Sequence, residues 1–203
     1  MSKRKEKIVE QAGQMLPSWE KPADRSLGEW IEKSRVARFE SRTYDWNALK
    51  FQADFDPKYK RAQCRYMGTG ATGVASDSGT VPSEHFTFST MILPAGCEGP
   101  LHVHHDAEEV FFVLKAEKLR LFFELDGETA ETVLTSRDLI SVPPGVYRGL
   151  RNEGQEEALM CVMLGTSKPI VPDYPDGHPL MELRKRRREI AAAAESEKLS
   201  KAS

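Results

Sequence analysis

From His85 to Gly165 the chain breaks into short runs of strand-forming residues closed by strong turn signals, which restricts it to a few all-β architectures. His85–Leu93 alternates around Phe86, Phe88 and Ile92. Further runs follow at Glu109–Leu114, Lys118–Leu125, Thr129–Leu134, Leu139–Val142, Tyr147–Arg151 and Ala158–Leu164. Asp126-Gly127 separates two of them, and that dipeptide favours the positive-φ two-residue turn of a hairpin. Pro94-Ala95-Gly96 and Pro143-Pro144-Gly145 mark other breaks. The pattern predicts an antiparallel sandwich or barrel. Phe86, Phe88, Phe111, Phe112, Phe122, Phe123, Met160 and Met163 are expected to fill mostly its interior, with a few lining an apolar pocket.

The flanks have a different character. With 203 residues the expectation is one domain with extensions. Residues 1–80 are read as an N-terminal extension packing on the core, 81–167 as the barrel, and 168–203 as a C-terminal wrap and basic helical tail. Ser26 is placed to cap a helix over LGEWIEKS. Residues 36–84 read as irregular structure with short strands, with a loop rich in Gly, Ser and Thr from Gly68 to Gly79. Pro169, Pro172, Pro175 and Pro179 predict a surface wrap, and Met181–Ser203 a solvated helix with a thin apolar face. Arg184, Lys185, Arg186, Arg187 and Arg188 form a single charge run, weak evidence for nucleic acid.

A net charge of −2 gives no general attraction to nucleic acid or to a membrane surface. No stretch is long and apolar enough to span a bilayer, and the start MSKRKEKIVEQ lacks the apolar segment of a secretory signal. Cys64, Cys97 and Cys161 are isolated and odd in number, which suits a reducing compartment. The expectation is a cytoplasmic protein.

His102-Val103-His104, followed by Glu109, carries the chemistry. Side chains two apart on a strand share a face, so His102 and His104 can converge while His105 points away. Glu109 and Glu108 face opposite ways, and Glu109 is the expected inward carboxylate. Two imidazoles and one carboxylate with open positions form the facial set of non-haem Fe(II) oxygenases. His85 is expected at a rim, His178 in a structural turn, and Cys97 has no visible base to make it a nucleophile.

These residues resemble the cupin superfamily. Its first motif is matched by Gly99, His102, His104 and Glu109, with Ala116 where a glycine is usual; its second by Pro143-Pro144-Gly145, Arg148 and Asn152. The resemblance covers roughly the stretch from His85 to Gly165. It implies a double-stranded jelly-roll barrel with helical and irregular extensions, binding a ligand in its mouth and assembling as a homodimer. Trp19 and Trp30 are candidate interface anchors.

Arg148 stands where the family has its third histidine ligand, and a guanidinium cannot ligate a cation. That leaves His102, His104 and Glu109 as the metal ligands. Arg148 itself has two readings. It either forms a rim ion pair with Glu124 or Asp138, or faces the cavity and holds a substrate carboxylate or enolate oxygen. A positive charge there also opposes cation binding. The expected function is dioxygenase-like oxidation of a small, aromatic or carboxylate-bearing compound at one divalent metal. Fe(II) is favoured, with Mn, Ni or Zn as alternatives, and Asn152 is expected to help orient the ligands. The competing readings are isomerase, lyase or cyclase chemistry on a carbonyl compound, and a non-catalytic small-molecule-binding cupin.

Overall fold

The computed structural model describes residues 17–68, 77 and 79–186, together with Lys3, Lys5, Glu6 and Glu189. Nine strands dominate: β1 (Ala62–Met67), β2 (Thr87–Leu93), β3 (Glu98–His102), β4 (Glu109–Lys115), β5 (Leu119–Leu125), β6 (Glu128–Leu134), β7 (Leu139–Val142), β8 (Tyr147–Asn152) and β9 (Ala158–Leu164). They form a five-stranded sheet in the order β1-β2-β9-β4-β7 and a four-stranded sheet in the order β3-β8-β5-β6. All paired strands run antiparallel. The expected double-sheet, all-β architecture is therefore present.

The turns follow the sequence signals. Asp126 and Gly127 have φ of 51° and 81°, closing the hairpin in which Leu125 pairs with Glu128. Between β7 and β8, Gly145 takes φ 86° and its N–H donates to the His104 carbonyl at 2.9 Å. The proline-glycine turn is thus tied directly to the histidine segment. Gly149 has a different role. A Cβ there would lie 2.1 Å from Phe122, its cross-strand partner, so the ring requires a glycine beneath it.

The interior departs from expectation in composition. Of the aromatic and methionine residues expected inside, Phe111 and Met160 are buried, whereas Phe88, Phe112, Phe122, Phe123 and Met163 are half-buried and Phe86 is exposed. The period of two explains this, because neighbours such as Phe111 and Phe112 cannot both face one core. Leu93, Val113, Leu119, Leu121 and Met160, all fully buried, belong to the core cluster that also holds Met91, Phe111, Leu150 and Val162.

Both flanks close on the barrel. Helix α1 (Leu27–Ser34) starts with Ser26 as its cap, and the Glu29 side chain accepts from the Ser26 backbone in a reciprocal capping box. Helix α2 (Lys50–Phe55) leads into a 3₁₀ turn at Pro57–Tyr59 and then into β1. β1 is an integral edge strand of the five-stranded sheet, pairing from Ala62↔Ile92 to Met67↔Phe88. Buried Arg65 fixes it to the preceding and following loops through Asp45 at 3.1 Å and Asp77 at 3.2 Å.

After β9 the chain crosses back over the histidine segment. Val103 and Asp173 exchange both backbone hydrogen bonds, at 2.8 and 3.0 Å. Residues 179–186 then form a helix whose Leu180 is fully buried and packs with Tyr59 and Tyr174. This corrects the expectation of a merely solvated tail at Arg184. That side chain is buried, donating to Asp173 Oδ1 at 2.8 Å, to the Val171 carbonyl at 3.2 Å and to the Pro172 carbonyl. Its charge is spent on holding the wrap down. Arg187 and Arg188 lie outside the described residues. Among the described residues no helix is long and apolar enough to cross a membrane.

Candidate metal centre and its cavity

His102 ends β3 in one sheet, Glu109 begins β4 in the other, and His104 lies in the crossing between them. The site is therefore built where the two sheets meet. The ligand-type atoms of His102, His104 and Glu109 all lie within 4.8 Å of one another. Nε2 of each histidine is 3.9 Å from a different Glu109 oxygen, His102 from Oε2 and His104 from Oε1. These separations are within reach of bonds of roughly 2.1 Å to a common centre. His102 Nδ1 donates to the Pro100 carbonyl at 2.8 Å, which leaves Nε2 with a free lone pair aimed at the carboxylate. His104 Nδ1 is buried without a hydrogen-bond partner.

Electrostatics favour the same protonation states that a cation needs. Burial, then the Arg148 guanidinium, pushes His102 down to about 3, and burial likewise lowers His104. Burial opposes ionisation of Glu109, but Arg148 and the two histidines together hold it below the usual carboxylate value. Two neutral imidazoles and one carboxylate at neutral pH form a chemically suitable donor set.

Arg148 is paired with His102 across β3 and β8 and is 1% exposed. Its Nε donates to Glu109 Oε2 at 2.8 Å, and its Nη2 stands 2.7 Å from the same oxygen without aligned hydrogen-bond geometry. Nη1 reaches the His102 carbonyl at 3.4 Å. Neither Glu124 nor Asp138 is its partner. The guanidinium occupies one oxygen of Glu109 and leaves Oε1 toward His104.

The remaining expected residues separate clearly. Glu108 is exposed and accepts from Ser141 Oγ, and His105 is exposed beside Asp173 at 3.4 Å. His85 packs against the Trp19 ring at 5.3 Å, and His178 stacks on Tyr174 at 5.4 Å. Asn152 does not orient the ligands. Its amide donates to the Leu93 and Glu156 carbonyls at 2.9 and 2.8 Å, stapling β2, β8 and the turn before β9. Ala116 is accommodated with its N–H donated to Ser136 Oγ at 3.0 Å.

His102, His104 and Glu109 open into a cavity of about 210 Å³ whose apolar walls include Met91, Phe111, Leu150, Val162 and Leu164. A second polar group lines the same space: Gln52 from α2, Arg61 just before β1, and Tyr174 from the C-terminal wrap. Arg148 is not among the lining residues. Sequence reasoning missed all three members of this second group. Arg61 sits in the run Lys58-Tyr59-Lys60-Arg61, which reads as a solvated charge cluster, and nothing local distinguishes it from its neighbours.

Residues 89–165 match the cupin domain family. The matched segment is a cupin domain. No curated protein matches the chain significantly. Among solved structures, a recombinant oxalate oxidase in complex with glycolate is 20% identical, with 77% of this chain and 67% of that chain covered and a TM-score of 0.47. Another oxalate oxidase structure, with the substrate analogue glycolate, is 22% identical over 41% of this chain and 43% of that one, at a TM-score of 0.39. A mutant of the Bacillus subtilis oxalate decarboxylase is 16% identical over 54% of this chain and 26% of that one, at 0.42. The chain thus spans less than half the length of the last two. The matched family segment holds the metal-type residues of the cupin, whereas Gln52, Arg61 and Tyr174 lie outside it.

Proposed function

We propose that this cupin is a metal-dependent enzyme that oxidises a small organic compound in a dioxygenase-like reaction, with Fe(II) as the favoured ion and Mn, Ni or Zn as alternatives. The observation that carries the reading is the convergence of His102, His104 and Glu109, within 4.8 Å of one another, on a largely apolar cavity. Three protein ligands leave open positions, and bound Fe(II) supplies redox chemistry toward O₂ there.

The chain's own residues have distinct parts in this scheme. His102 is held in one tautomer by Pro100, Glu109 is kept ionised by Arg148, and Met91, Phe111, Leu150, Val162 and Leu164 supply apolar walls. Arg148 acts by positioning Glu109, and its absence from the cavity lining weighs against the expected role of holding a substrate oxygen. A homodimer in the cytoplasm completes the proposal, and sedimentation equilibrium of the purified chain tests the assembly.

Anaerobic purification followed by elemental analysis and O₂-uptake measurements with small organic acids is the decisive experiment. One divalent ion per chain, lost in His102→Ala, supports the reading. No stoichiometric metal in wild type together with no change in His102→Ala overturns it. A non-catalytic binding cupin is the second reading, favoured by Arg148 Nη2 at 2.7 Å from Glu109. There the guanidinium already neutralises the carboxylate that a cation would use. Ligand binding without metal or turnover would establish that alternative.

A further inference from the structure

We propose that Arg61, with the Tyr174 hydroxyl that Gln52 holds in place, is the receptor for a carboxylate, so that the cavity takes a small monocarboxylic acid with an apolar body. The acid end would sit on Arg61 and the other end would face His102, His104 and Glu109. The second half of this placement rests on the proposed metal-site function; the first half does not.

Three observations converge on Arg61. It is only 7% exposed and lines the cavity, yet its one side-chain hydrogen bond among the described residues is from Nη1 to the Tyr59 carbonyl at 3.1 Å. Among the described residues no carboxylate lies within ion-pair distance of it. Glu109 on the facing wall is already paired with Arg148. A buried guanidinium without a counter-charge is costly, because a lone ion gives up its hydration for nothing. A ligand anion restores that balance, and a planar guanidinium suits the two oxygens of a carboxylate.

Gln52 supplies the second, independent mark of a ligand. It is 5% exposed and donates from Nε2 to the Tyr174 hydroxyl at 2.6 Å, while its Oε1 is buried with no partner. The amide N–H is thus anchored on the hydroxyl oxygen, which leaves the Tyr174 proton to be donated to an acid, while Oε1 accepts only and takes an O–H or N–H donor rather than the carboxylate. The size and character of the space define the ligand further. About 210 Å³ is the share of roughly seven waters, below the range of drug-sized pockets. A single uncompensated cation among Met91, Phe111 and Leu150 matches a singly charged acid, since a dianion would leave excess charge in an apolar space.

The test uses the full chain with benzoate, phenylacetate and hexanoate as probes and benzamide as the neutral isostere, read by calorimetric titration and thermal melting. At least one acid is expected to bind and raise Tm, with benzamide at least tenfold weaker than benzoate if benzoate binds. Arg61→Met is expected to lose acid binding by tenfold or more while keeping the metal content of wild type, and Arg61→Lys to retain part of it. Ligand-free Arg61→Met should melt at or above the wild-type temperature, because an uncompensated charge has been removed. A merely structural arginine would instead lower it.

Failure of all three acids to bind overturns the proposal. So does acid binding unchanged in Arg61→Met, or equal affinity for benzoate and benzamide. The two readings separate cleanly. Arg61-dependent acid binding without stoichiometric metal sinks the oxidase reading and leaves this subsite. Stoichiometric metal with Arg61-independent binding does the reverse.

Discussion

Arg148 and Glu109 form a buried ion pair in which both guanidinium contacts fall on one carboxylate oxygen. Removing one member of such a pair strands the other charge and typically costs about 3–5 kcal/mol. Arg148→Met in metal-free protein is therefore expected to lower the urea midpoint by a corresponding amount. A divalent ion should recover much of the loss, because it replaces the missing positive charge beside Glu109. An unchanged midpoint would show that the pair contributes nothing. The histidines make a second prediction at this scale. His102 has an ordinary value of 6.5 and is held at about 3 by burial and Arg148. Between those values the unfolded chain binds a proton that the folded chain does not, so stability is lost as pH falls. Depression of Glu109 acts in the same direction below its own ordinary value. In EDTA, Tm should fall steadily from pH 7 toward pH 4, and His102→Gln should flatten that slope.

Among the elements, the C-terminal wrap supplies one wall of the cavity. It pairs with Val103, between the two histidines, and contributes Val171, Pro172 and Tyr174 to the cavity lining. Arg184 holds it through Asp173 and the carbonyls of Val171 and Pro172. Charge-assisted hydrogen bonds of this kind contribute roughly 1.5–3 kcal/mol each. Arg184→Ala is expected to speed amide hydrogen exchange at Val103 and Asp173 while protection across β5 and β6 stays at wild-type level. Equal loss across both sheets would mean that the wrap is part of the global folding unit. The helix prediction at Ser26 illustrates the opposite situation. There the cap, Glu29 and the helix lie within a few residues of one another, so local sequence sufficed. Nothing local in Pro169–Pro179 announces that the segment lines a pocket, because the contact it makes is with residues far away in the chain.

For the whole molecule, the two sheets, the N-terminal segment and the wrap all contribute to one cavity, so occupancy should stabilise the fold as a unit. Any ion that binds only the folded state raises stability by RT ln(1 + [L]/Kd), about 2.7 kcal/mol at a hundredfold excess over Kd. Titration with Fe(II) under anaerobic conditions should raise Tm in a concentration-dependent way, EDTA should reverse it, and His104→Ala should abolish it. A Tm indifferent to every divalent ion would leave the donor set without a function as a metal centre.

Read linearly, the chain already specifies its barrel and most of the ligand cluster. Strand periodicity, Asp126-Gly127 and the proline-glycine turns are local signals, and they put His102 and His104 near one sheet end with Glu109 at the start of the next strand. Local signals could not reveal the partner of Arg148, since Glu109 is 39 residues away and the pair exists only where the two sheets cross. They also failed at Arg61, where a run of basic residues reads as solvated surface. Its burial comes from α2, the 3₁₀ turn before β1 and Tyr174 folding over one cavity. Periodicity tells which face a side chain takes on its own strand. Which distant charge it meets, or fails to meet, is settled by packing, and the unpaired guanidinium of Arg61 is the clearest product of that difference.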